Sequence, residues 1–181
     1  ISRAKEILDY WFPKDGSADY NKWFMKSEDY DEEITTKFGD LLLDAEDGLG
    51  FGWLASKDSY VAYIILMDQF SRHIYRGHAD AFKNDKGVMI FTELGWQLYS
   101  EDLVGYEFMF AFMPYMHIEN KGYQRKGEVI FDAQTRLYKY GGQRYTDPNQ
   151  LPSPGQFMMQ EKVELTQNQK ELKMLESMKT H

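Results

Sequence analysis

The sequence predicts an all-α chain, an antiparallel array of helical hairpins followed by a helical tail. Three observations lead there. Apolar residues recur every three or four positions in one segment after another, glycine or proline punctuates the gaps, and no segment shows the strict alternation of a strand. At 181 residues the chain is one domain's worth, and its 43% hydrophobic and 16% aromatic content suffices for a core of large flat side chains.

The first helix follows Ser2, a cap, with Ala4, Ile7, Leu8 and Trp11 at helical spacing, and Pro13 with the DGS behind it ends the segment. Residues 29–47 place Ile34, Phe38, Leu41, Leu42 and Ala45 on one stripe, stopped by Gly48 and Gly50. A third helix is expected over about residues 59–75, with Asp58 or Ser59 as N-cap and Gly77 as the C-terminal stop. Residues 85–99, 104 to about 120, and 123–140 supply three more, the last broken by Gly141 and Gly142. The domain is expected to span residues 1–142. The stretch 143–156, with three prolines, reads as a linker. Residues 157–181 read as a tail helix, with Met158, Leu165, Leu172 and Leu175 needing a groove or a protein partner to dock on.

The formal net charge of -8 argues against a nucleic-acid or anionic-membrane surface as partner. Without cysteine there are no disulfides, thiolate nucleophiles or cysteine zinc sites, which suits the cytoplasm, although a start at Ile1 rather than Met leaves an organelle open. The longest strongly apolar window, FMFAFMPYM at 108–116, is far below the ~20 residues that span a bilayer as a helix. No membrane span and no cofactor are expected. His73, His78, His117 and Glu119 could ligate a metal, but neither HxxxH nor HExxH spacing occurs, so no metal site is assigned.

The chemistry concentrates in two stretches. In LMDQFSRHIYRG, residues 66–77, a wheel with Tyr60 at zero puts Asp68, Arg72 and Arg76 at about 80°, 120° and 160°, continuing a stripe that begins apolar. Asp68 can orient Arg72 four residues on, but one carboxylate cannot neutralise two guanidinium groups. That surplus points to a small anion or a peptide carboxylate as ligand, while a structural ion pair tying helix ends fits the same residues. The second stretch is MPYMHIEN, residues 113–120. Pro114 removes a backbone donor and is expected to kink the helix, and His117 with Glu119 could form an acid–base pair if the helix ends there.

The segments DYWFP, KWFMKSEDYDEEITTKFG, ILMDQFSRHIYRGHADAFKND and FMPYMHIENKGYQ, in that order, resemble the bacterial family filed as domain of unknown function 924, over residues 7–140. The most specific piece is the DQF-x-R-x-x-x-R-G string, here Asp68, Gln69, Phe70, Arg72, Arg76 and Gly77, followed by Ala81, Phe82 and Asp85. The resemblance implies an all-α, tetratricopeptide-like fold and no established activity. It also implies a P-x-x-H-S-E segment, matched by Pro114, His117 and Glu119 with Ile118 replacing the serine, and a following glutamine matched by Gln124. His73 stands where the family usually has Asn, and YKYGGQRYTDPNQ stands where it ends in an FGRFPHRN-like string. A site that such a string completes in relatives is here altered, or completed by a partner or the tail.

Three roles follow for the set Asp68, Gln69, Arg72, Arg76, His117, Glu119 and Gln124. One is a binding module for a small anion or peptide carboxylate. Another is a hydrolase or transferase acting on an acidic substrate through His117 and Glu119. The third is a structural subunit of a larger assembly.

Overall fold

A computed structural model describes residues 2–48 and 50–139, with side chains to residue 130. Among them every regular element is a helix. They belong to two units, Ile1–Glu119 and Asn120–His181. The expected boundary at 142, the linker at 143–156 and the tail helix at 157–181 lie outside the described residues.

In the first unit, helix α1 (Arg3–Trp11) begins where Ser2 accepts a hydrogen bond from the Lys5 amide, and it buries Ile7 and Trp11 completely. Helix α2 (Tyr20–Phe24) is capped by Asp19 and inserts Trp23. Its five residues are too few to show a period, so sequence reading passes over it. Helix α3 (Glu28–Asp47) starts one residue before the expected span, at a Ser27 cap, with Glu28, Asp29 and Asp31 in its electropositive first turn. It buries Ile34, Phe38, Leu42 and Ala45.

The expected third helix is one continuous helical run with a break in its hydrogen-bonding pattern. Helix α4 (Lys57–Ile64) is capped by Ser56, which accepts from the Ser59 amide at 3.1 Å. Ser56, rather than Asp58 or Ser59, is the N-cap because it alone has the extended backbone of that position. Residues Ile65–Phe70 then form a π-helix, and α5 (Ser71–Ile74) closes the run at Tyr75, with Gly77 at φ 83° turning the chain away. The Ser71 amide reaches back to the Leu66 carbonyl, an i→i+5 bond, while its hydroxyl donates to the Met67 carbonyl at 2.6 Å. Every residue from Tyr60 to Ser71 is buried.

This run is the axis of the unit. Helix α1 packs on α4, α3 packs on the π segment and α5, and two further helices, α6 (Asp85–Tyr99) and α7 (Gly105–His117), pack on each other, on α4 and on the π segment. Aromatic rings fill the space between them edge to face: Trp11 meets Phe70 at 5.3 Å and Phe110 at 5.4 Å, and Trp23 meets Phe110 at 5.1 Å. Helix α6 has the expected bounds and approaches α4 at Gly95, where a Cβ would lie 2.1 Å from the Tyr60 ring. Gly50, at φ 64°, starts the 3₁₀ turn Phe51–Ala55, and a Cβ there would meet Phe91 at 2.8 Å.

The second unit supplies α8 (Lys121–Lys139). The Asn120 side chain accepts from the Gly122 and Tyr123 amides, which sets the helix start two residues before the expected one. Among the described residues no helix is long and apolar enough to cross a membrane.

Candidate functional site

Asp68 lies in the π segment with its side chain wholly out of solvent. A carboxylate there needs partners on every oxygen. They come from three directions. The adjacent Gln69 amide donates to Oδ2 at 2.7 Å, Arg72 Nη2 approaches Oδ1 to 3.6 Å, and His117 Nδ1 lies 2.8 Å from Oδ1 and 3.0 Å from Oδ2. Burial pushes the Asp68 carboxyl up, but His117, Arg72 and Gln69 outweigh it and hold it below the usual carboxylate range.

His117 is the last residue of α7; Ile118 is already extended. The helix therefore ends where an acid–base role requires, but the partner of His117 is Asp68 and not Glu119. Glu119 is exposed on the connection leaving the helix, one residue past the buried and extended Ile118. The His117 side chain keeps 30% of its surface exposed, and its Nε2 has no hydrogen-bond partner among the described residues.

Arg72 spans two carboxylates. Its Nη2 also donates to Asp85 Oδ1 at 3.1 Å, its Nη1 reaches the Ala81 carbonyl at 3.4 Å, and its guanidinium sits 5.0 Å from the centre of the exposed Phe82 ring. The Arg72 Nε–H is buried with no acceptor among the described residues. Asp85 is pushed up from its ordinary value by burial, with Asp68 reinforcing the shift and Arg72 opposing it.

Arg76 is engaged elsewhere. It lies past the end of α5 and grips Asp31 of α3 with two hydrogen bonds, from Nε to Oδ2 and from Nη2 to Oδ1 at 2.9 Å. His73 Nδ1 shares that carboxylate at 2.7 Å. The positive surplus expected from the wheel is thus absent: Asp31, Asp68 and Asp85 face the two arginines. Two of those acids come from α3 and α6, which no single-helix wheel displays. The i→i+5 segment also breaks the uniform 100° step on which the common face rested.

Of the residues read from sequence, Asp68, Gln69, Arg72 and His117 come together, whereas Arg76 and Glu119 point to other surroundings. Gln124 is exposed on α8 in the second unit. Sequence reading misses Asp31 as a partner of Arg76, and it names Asp85 as a helix start and a member of the family string but not as a partner of Arg72. Among the described residues no three His, Asp or Glu side chains are placed to hold a metal ion.

The Asp31–His73–Arg76 cluster makes an acid-side prediction. Burial lowers the His73 pKa from its usual 6.5, with Arg76 adding to the effect and Asp31 opposing it. A histidine depressed in the folded state lets the unfolded chain bind more protons below that value. Its contribution to stability is complete above pH 6.5 and declines as pH falls. Asp31 and Asp68, both below their ordinary 3.8, add a second loss beneath that pH. Urea midpoints measured from pH 7 to 5 are expected to fall in the wild type and to stay nearly level in His73→Asn. Parallel slopes would show that His73 does not drive the change.

None of the curated proteins matches the chain. A solved structure of a protein of unknown function from Agrobacterium tumefaciens is similar to it, at 27% sequence identity and a TM-score of 0.65, over 74% of this chain and 73% of that one. The resemblance that the motifs suggest is borne out well beyond them: the model for bacterial proteins of unknown function (DUF924) matches residues 7–173, and the chain belongs to that family.

Proposed function

We propose that the protein transfers protons on a small acidic substrate, with His117 as the general acid–base and Asp68 as its buried anchor. The carrying observation is the 2.8 Å contact between a wholly buried carboxylate and Nδ1 of a histidine whose ring still reaches solvent. Asp68 holds the proton on Nδ1, which leaves the Nε2 lone pair to take one from water or a substrate hydroxyl, and it stabilises the imidazolium that results. Arg72, its charge already matched by Asp68 and Asp85, offers a substrate oxygen hydrogen-bond donors from the 22% of its side chain that is exposed. Glu119 has no part in this arrangement. A cysteine-free chain suits a reducing compartment such as the cytoplasm.

One observation favours a second reading, a binding module for an anion or peptide carboxylate. The Arg72 Nε–H is a buried donor awaiting an acceptor, and a ligand oxygen would supply it. One set of assays separates the two. Carboxylic esters, amides and phosphomonoesters are offered to the wild type, His117→Gln and Asp68→Asn. Turnover that drops about 10²–10⁴-fold in both variants supports proton transfer. Absence of turnover, with thermal stabilisation by carboxylates or phosphate that disappears in Arg72→Met, supports binding instead. A protein inert in both assays overturns both readings.

A further inference from the structure

Helix α6 buries one face, through Val88, Met89, Phe91, Thr92 and Gly95, and presents another of unusual composition. Ile90 and Leu98 are each 59% exposed and Leu94 36%, at spacings of four residues that stack them along one line of the helix. Phe51, 58% exposed and 5.7 Å from the Phe91 ring, extends the apolar surface sideways. Polar residues bound the stripe at its two ends, Lys86 before it and Glu101 with Asp102 after it, all exposed. A contiguous apolar line with a charged rim marks a protein contact.

We infer that this face pairs with itself in a second copy of the chain, α6 against α6 in antiparallel order about a two-fold axis at Leu94. The charges select this occupant and this direction. Antiparallel pairing centred on Leu94 sets Ile90 against Leu98 of the other copy. It also brings Lys86, eight residues before the centre, to the level of Glu101 and Asp102, seven and eight residues after it. Both ends gain an opposite-charge contact at once, as a self-complementary interface requires. Parallel pairing would set Lys86 against Lys86 and Glu101 against Glu101. The face is one line of three aliphatic side chains with Phe51 beside it, narrow for a contact, so the dimer is weak and concentration-dependent. It uses none of the residues assigned to proton transfer.

Sedimentation velocity on the full chain from about 5 to 500 µM tests this. The wild type is expected to move from monomer towards dimer across that range. Leu94→Glu, which puts two carboxylates on the axis, is expected to stay monomeric with the circular dichroism of the wild type. Lys86→Glu and Glu101→Lys are each expected to weaken association at least tenfold, and the double exchange to restore it, which decides the matter even if Leu94→Glu fails to fold. The chain has no cysteine, so Leu94→Cys is expected to give a disulfide-linked dimer on mild oxidation, and Asp29→Cys on α3 is not. A wild type monomeric at every concentration leaves the stripe to some other partner and overturns the inference. So does a double exchange no tighter than its single variants.

Discussion

Asp68→Ala is expected to lower the stability of the protein by about 3 kcal/mol, the lower end of the 3–5 kcal/mol that follows the loss of one partner from a buried ion pair. The lower end applies because the stranded groups have alternatives: Arg72 keeps Asp85, and the His117 side chain still reaches water. In a chain of this length that is a fall of roughly 6–12 °C in Tm. The pH dependence carries the sign. Asp68 is depressed in the folded state, so its stabilisation is complete above the ordinary carboxylate value of 3.8 and is lost as pH falls through the folded one. Wild type and Asp68→Ala should therefore converge in acid. Chemical denaturation at pH 7 and pH 3 reads both the gap and its closure; a gap of equal size at both pH values would mean that the alanine acts through packing and not through lost charge.

Gly95→Ala is the second large effect, with an expected cost of about 2–3 kcal/mol despite alanine's better helix propensity. The added methyl would stand 2.1 to 2.6 Å from three atoms of the Tyr60 ring, which is fully buried and donates its hydroxyl to the Thr92 carbonyl. Neither the ring nor the α6 backbone has room to retreat, so the overpacking penalty exceeds the up to 1 kcal/mol that replacing a helical glycine returns. Gly87→Ala on the same helix meets nothing within 4 Å and is expected to stabilise by about 0.5–1 kcal/mol. A double-mutant cycle with Tyr60→Leu isolates the contact: Gly95→Ala should cost less than 1 kcal/mol once the ring is gone. An unchanged cost in that background would place the strain elsewhere.

The helices whose apolar residues keep one period over several turns were legible in the sequence. Helix α6 falls on the span expected from its pattern, α1 begins at the expected Ser2 cap, and Ile34, Phe38, Leu42 and Ala45 form the buried stripe of α3. What was not legible has a physical cause in each case. Helix α2 is shorter than the window a period needs. The π segment leaves no trace in a wheel that assumes a constant step. The site was legible as residues but not as pairs. Asp68, Arg72 and His117 stand out in the sequence, yet it sets His117 beside its neighbour Glu119 and Arg76 on the helix of Asp68, because sequence displays only partners a few positions apart. The true partners lie 49 residues away for His117 and Asp68, and 45 for Arg76 and Asp31. The exposed line on α6 was invisible for the converse reason: apolar residues read as core until the packing shows which of them no neighbour covers.

The wide turn over Ile65–Phe70 makes the geometry of the whole unit a matter of counting. A turn closed by i→i+5 bonds holds one residue more than the α turn it replaces, so the segment works as a spacer between two helical phases. Upstream, Tyr60 is keyed to Gly95; downstream, Arg72, His73 and Arg76 are keyed to Asp85 and Asp31. Removing a single residue here would let the backbone relax into an ordinary α turn with the downstream phase kept, whereas removing one from α4 would turn everything beyond it by about 100° and detach both arginines from their acids. No side chain at the site would have changed. In this fold the address of the charged cluster is written in the length of a buried segment as much as in its letters.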